Sequence, residues 1–259
     1  MGHLLSGADG VLCLSEPFLS YAVMTDWQLD RFYYNFQRSA GLRRLRPPHG
    51  SNAERYGAFL RKLTRMNGFR FLAIKETFRD ERRSPRWCNV DLVEKLVRVG
   101  NPVVALVRHP YDIAASTIRL CSWVTGVRGW LLRCRWPTLP VYRNPTDVVR
   151  TAAYNWTRYC GWARQHELRL LRYEDYVAAP ERHLQEICDR CDLPFDPRML
   201  DYRRPRAAFG GLGDPGLLRK GPRPVTTRSV GQADKLTPEQ RDIVKTACAE
   251  PAAEFGYTL

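Results

Sequence analysis

Arg108 and Ser116 stand eight residues apart in Arg108-His109-Pro110-Tyr111-Asp112-Ile113-Ala114-Ala115-Ser116, a spacing suited to holding an anion. The five apolar residues Val103 to Val107 ahead of Arg108 lack period-two alternation, the pattern of a strand covered on both faces. Pro110 suits the first position of a helix, and Asp112 suits its positive end. Ser116 then lies about two turns into that helix, roughly 9 Å along its axis. A guanidinium closing a strand and a hydroxyl on the next helix can together hold a phosphate, because ligands of open α/β sheets gather beyond the carboxyl ends of strands. A surface arginine and an ordinary helical serine have the same spacing, so the pair gains meaning only from its surroundings.

Two earlier strands also end in charge. Val11 to Leu14 runs into Ser15-Glu16-Pro17, and Phe69 to Ile74 runs into Lys75-Glu76-Thr77. Between them a helix is predicted from Asn52 to Met66, with Tyr56, Phe59, Leu60 and Leu63 on one face. Asp91 to Val99 reads as a short helix, Asn144 and Pro145 open a helix running to about His166, and Leu168 to Leu171 supplies a fourth strand. Strands alternating with helices argue for parallel βαβ units. The expectation is an α/β fold of three layers, with a mainly parallel sheet covered by helices on both faces, as one domain over residues 1–259.

Three regions resist such a reading. The stretch after Pro17, through Phe36, mixes aromatic and basic residues without a clear element. Residues 123–144 carry tryptophans, arginines and prolines without a clean period; they read as an irregular insertion, either a binding lid or a surface excursion. From Pro197 to Thr226 the chain is rich in Gly, Pro and Arg, as a long crossing segment would be. The last helix is well marked: Thr237 caps it, Pro238 opens it, and Gln240 completes a capping box.

The formal net charge of +14, from 41 basic against 27 acidic residues, favours anionic partners. No helix-turn-helix, zinc-finger or RNA-recognition pattern accompanies it, so nucleic acid is not expected as a partner. No apolar run approaches the ~20 residues of a membrane span, and the start lacks the pattern of a signal peptide; a cytoplasmic protein is expected. Eight cysteines spread over 259 residues do not form a dense disulfide framework. The close pair Cys188 and Cys191 shares one helical face with Leu184 and Ile187, which suits small core residues, and no metal site is expected.

The Arg108 to Ser116 segment resembles the 3′-phosphate-binding segment of sulfotransferases that use 3′-phosphoadenosine 5′-phosphosulfate. Leu170-Leu171-Arg172-Tyr173-Glu174-Asp175-Tyr176, then Ala179-Pro180 and Leu193-Pro194-Phe195-Asp196, resemble that family's later strand, its RYED turn and its LPFD signature. Leu236 to Gln240 and Phe255-Gly256-Tyr257 are similar to its closing helix and tail. These matches follow the family's order along nearly the whole chain. The resemblance implies a P-loop NTPase-like fold and transfer of sulfuryl from the nucleotide to a hydroxyl or amine of a small-molecule, saccharide or peptide acceptor.

By the same resemblance, Arg108 and Ser116 bind the 3′-phosphate, and Arg219, Lys220 and Gly221 form a late phosphate contact. Tyr173 either meets the adenosine or is an ordinary strand-end tyrosine. Glu16 is the candidate base, with a plain surface turn as the other reading. Lys75 stabilises charge, and Glu76 stands as the alternative base, since the histidine found there in other branches is absent. His109 is expected as a neighbour of the phosphate. The family's Gly/Ser/Thr-rich loop for the 5′-phosphosulfate has no counterpart here, so the first strand and that loop are expected ahead of Met1. If they are lacking altogether, the alternative is an inactive fragment or a noncatalytic anion-binding module of the same fold.

Overall fold

The computed structural model describes residues 2–5, 7–50, 52–80, 88–135, 141–201, 208–209 and 224–259. Along the chain these form α1 (Gly2–Leu5), β1 (Val11–Ser15), α2 (Pro17–Val23), α3 (Asp26–Ser39), α4 (Ala53–Met66), β2 (Phe71–Lys75) and α5 (Val90–Arg98). There follow β3 (Ala105–Val107), α6 (Pro110–Cys121), α7 (Gly126–Arg135), α8 (Pro145–Gln165), β4 (Leu170–Arg172) and α9 (Tyr173–Ala178). Then come α10 (Pro180–Arg190), β5 (Ala208–Phe209) and α11 (Pro238–Glu254), with short 3₁₀ turns between. The chain is α/β, and among the described residues the strands pair in parallel and form two sheets, of three and of two strands.

Two compact units result. The first comprises Met1–Thr77, Asn89–Gly100 and Glu181–Pro224, and it is built on the sheet β2-β1-β5. β1 occupies the centre and is buried along Val11 to Leu14, as its unbroken apolar run requires. Helices α3 and α4 supply a mostly aromatic core against it, with Leu29, Tyr33 and Phe36 meeting Tyr56, Phe59 and Leu63. α3 is the element that the mixed aromatic and basic stretch concealed. Thr25 and Gln28 form its capping box, while Trp27 and Tyr34 on its other sides remain exposed and blur the period.

The second unit comprises Phe78–Cys88, Asn101–Pro180 and Val225–Leu259. Its strands β3 and β4 pair in the register Val107↔Arg172. The long helix α8, capped by Asn144 as its sequence predicts, packs Val149, Ala153 and Trp156 against Val244 and Cys248 of α11. Thr237 and Gln240 form the expected capping box. Within the stretch 123–144, read as an irregular insertion, Gly126–Arg135 form a helix, although Gly126 and Gly129 lower its intrinsic preference.

None of the eight cysteines is in a disulfide. Burial pushes the Cys13 and Cys160 thiols up to about 12, and those of Cys188 and Cys248 up to about 11. Cys188 lies in the core against Met199, 3.8 Å between sulfurs, as its helical spacing predicts. Among the described residues no helix is long and apolar enough to cross a membrane.

Candidate functional site

Parallel register decides which residues meet at a strand's carboxyl end. In the first unit Ser15 pairs with Lys75, so the residues that follow, Glu16 and Glu76, leave the sheet side by side. Glu16 N–H extends the ladder by donating to the Lys75 carbonyl at 2.6 Å. Its backbone then turns into the left-handed region, with φ 56°, which a residue with a Cβ adopts at some cost. That turn starts α2 at Pro17 and keeps the Glu16 side chain buried, 3% exposed.

The Glu16 carboxylate is met from two sides. Lys75 Nζ donates to Oε1 at 2.6 Å, and the Thr77 hydroxyl donates to the same oxygen. Lys75 also donates to Thr77 Oγ1 at 3.0 Å. Lys75 is 41% exposed, so the pair has a buried anionic end and a wet cationic end. Thr77 was the member that sequence reasoning did not assign, and its position after Lys75-Glu76 was the available signal.

Glu76 has a different task. Its carboxyl oxygens accept the backbone N–H groups of Phe18 at 2.9 Å and Leu19 at 3.3 Å, which fixes how α2 leaves the sheet. Burial pushes its pKa up to about 8 and the neighbouring Glu16 charge adds to this, while the two amides and Lys75 act the other way. The sequence offered it as an alternative base, and the structure adds its engagement with the first turn of α2.

In the second unit the same register rule applies to Arg108 and Tyr173, the residues after the paired Val107 and Arg172. The Arg108 guanidinium lies over the Tyr173 ring, 4.8 Å from its centroid. Ser229 joins them: its carbonyl accepts from Arg108 Nη2, and its hydroxyl shares a hydrogen bond of 2.8 Å with Tyr173 OH. The Trp156 indole donates to the Arg108 carbonyl at 2.8 Å and fixes the strand end from below. Arg108 is mostly buried, and its Nε has no hydrogen-bond partner among the described residues.

Asp112 and Ser116 follow Arg108 at intervals of four and so share one side of α6. Asp112 is buried and accepts the backbone N–H groups of Gly231 at 3.1 Å and Gln232 at 2.6 Å, besides lying 3.9 Å from Arg108. Its sequence position suggested only a favourable charge at a helix start; its larger task is to hold the segment that carries Ser229. Ser116 is half-buried. Ser229 itself was missed, because nothing local in the Gly- and Arg-rich sequence marks it.

His109 N–H donates to Glu174 at 2.9 Å, and Tyr257 OH donates to the other oxygen of Glu174 at 2.6 Å. Nδ1 of His109 accepts from Tyr111 N–H, and Nε2 lies 3.3 Å from the Thr258 carbonyl. The RYED and FGY residues therefore tie the end of β3 to the tail of the chain. Arg219, Lys220 and Gly221 lie outside the described residues.

A sulfotransferase family model matches residues 52–197, more than half of the chain and including Lys75, Glu76, Arg108, Ser116 and Tyr173. No curated protein matches. Among solved structures, the sulfotransferase domain from the curacin biosynthetic pathway is similar with a TM-score of 0.56 at 18% identity, covering 99% of this chain and 92% of that chain. The sulfotransferase domain from the Synechococcus PCC 7002 olefin synthase is similar with a TM-score of 0.54 at 17% identity, covering 99% of this chain and 89% of that one. At such identities the structural likeness speaks for the fold, and the family is carried by the sequence match. On that match, this chain belongs to the sulfotransferase family.

Proposed function

We propose that the chain transfers a sulfuryl group from 3′-phosphoadenosine 5′-phosphosulfate to a hydroxyl or amine of a small-molecule, saccharide or peptide acceptor. The observation that carries this reading is Arg108. A mostly buried guanidinium with one donor lacking an acceptor among the described residues is unfavourable by about 1–3 kcal/mol, and a phosphate oxygen relieves it. Ser116, on the same side of α6, adds a hydroxyl donor. Tyr173, held by Ser229, offers a flat face to the adenosine, and Arg219, Lys220 and Gly221 are proposed as a second phosphate contact.

The donor supplies the sulfuryl group, and the chain's own residues supply position and proton transfer. Glu16 is proposed to take the proton of the acceptor. Its carboxylate is oriented by Lys75 and Thr77, so its lone pairs need no reorganisation at the moment of transfer. Lys75 offsets negative charge as it builds on the departing phosphate. Glu76 shapes the turn that presents Glu16.

Calorimetric titration of the purified chain with adenosine 3′,5′-bisphosphate tests the nucleotide assignment. Binding at least about tenfold weaker in Arg108→Ala is expected. Equal binding by the two proteins would overturn it. Incubation with labelled donor and a panel of hydroxyl and amine acceptors then tests transfer.

A further inference from the structure

Helix α7 (Gly126–Arg135) turns its apolar side outward. Val127, Trp130 and Leu131 are 77%, 61% and 58% exposed, and Cys134 is exposed as well. Positions 127, 130, 131 and 134 follow the i, i+3, i+4, i+7 spacing of one helical face. Gly129 fixes which way that face looks. A Cβ there would come within 2.2 Å of the Val124 carbonyl oxygen, so only a bare α-carbon lets the helix lie against the 3₁₀ turn Ser122–Val124.

The base of the helix is anchored. Gly126 N–H donates to the Tyr142 carbonyl at 2.9 Å, and Tyr142 N–H donates to the Val124 carbonyl at 3.2 Å. Val124 and Tyr142 are buried with Val148 in a small cluster of their own. The result is a fixed platform with large apolar side chains in water, an arrangement that marks a surface meant to be covered.

Charge identifies what covers it. Between Asp112 and Asp147 the sequence holds no acidic residue, whereas Arg119, Arg128, Arg133, Arg135 and Arg143 lie in that interval. A basic, Trp- and Leu-bearing helix with an exposed apolar stripe suits the plane of a membrane interface. A protein interface of standard size takes about 800 Å² from each side and needs matched polar partners, more than one short stripe provides. A bilayer needs neither. The helix is about 15 Å long at 1.5 Å per residue, so it lies on a membrane and does not cross it.

We infer that α7 is an interfacial anchor, which lays Val127, Trp130 and Leu131 into the headgroup boundary of a lipid membrane, one whose negative charge suits the basic sequence between Asp112 and Asp147. This attachment is separate from the transfer chemistry and does not depend on it.

Sedimentation of the full chain with phosphatidylcholine vesicles, with and without phosphatidylserine, tests the inference. The expected result is co-sedimentation with phosphatidylserine-containing vesicles, release by salt, and a blue shift of tryptophan emission on binding. Leu131→Asp and Trp130→Ser should each bind at least about tenfold more weakly, since each removes a side chain's worth of apolar burial. Both positions are exposed, and an unchanged circular dichroism spectrum and melting temperature serve as the control for folding. Absence of sedimentation with anionic vesicles, equal binding to pure phosphatidylcholine, or undiminished binding by both variants would overturn it. So would a concentration-dependent dimer in analytical ultracentrifugation, abolished by Leu131→Asp and without vesicle binding, which would give the face to a second copy of the chain.

Discussion

Lys75 Nζ stands 2.6 Å from Glu16 Oε1 because two parallel strands are in a register that pairs Ser15 with Lys75. The ion pair is therefore a product of sheet geometry. Glu16→Gln keeps the size and one acceptor oxygen but loses the negative charge. Its transfer rate should fall by about 10²–10⁴-fold, the usual contribution of a general base, while adenosine 3′,5′-bisphosphate still binds. Single-turnover rates beside calorimetric affinities separate these two outcomes.

Glu76 makes a prediction about pH. Its pKa is raised from 4.5 to about 8 in the folded chain, so between these values the folded state binds more protons than the unfolded state. Stability from this group is present in full below about pH 4.5 and is lost as pH rises through about 8. Urea unfolding of the wild type across that window, compared with Glu76→Gln, should show the stability difference shifting toward the variant as pH rises. A difference independent of pH would contradict the assignment.

Asp112→Ala removes the acceptor for two backbone N–H groups, those of Gly231 and Gln232. A loss of about 2–3 kcal/mol is expected, since buried donors are left unpaired. Because Ser229 sits on the same segment, affinity for the nucleotide should fall as well. Chemical denaturation and nucleotide titration of the variant check both.

Gly129→Ala places a methyl group against a backbone carbonyl that cannot rotate away. The cost should be about 1–3 kcal/mol, as for overpacking, and confined to α7. Hydrogen exchange should show faster opening of Gly126–Arg135, with α8 and α11 unchanged.

Much of the scaffold was legible because its signals are local. The capping box at Thr237 and the cap at Asn144 are each set within a few neighbouring residues, and both occur as read. The Arg108 to Ser116 segment was legible for the same reason: Pro110 opens α6 as predicted. What could not be read lies in pairings across the chain. Ser229 meets Arg108 and Tyr173 from far along the sequence, and Asp112 looks like any acidic residue in a first turn until Gly231 and Gln232 arrive. Glu76 reads as a strand-end carboxylate because its partners, the amides of Phe18 and Leu19, leave no side-chain trace. At α7 the local pattern misled, since Gly129, which weakens a helix, is there to let one pack closely.

The cysteines of this chain differ in their availability to electrophiles. Only the thiolate attacks a maleimide or an iodoacetamide, and the buried thiols of Cys13, Cys160, Cys188 and Cys248 hold their protons well beyond neutral pH. Cys134 is exposed, on the outward side of α7, where a reagent reaches it. Nature has thus left a site for a fluorophore or spin label on the helix that faces outward, where a probe reads the polarity of its surroundings without disturbing the core.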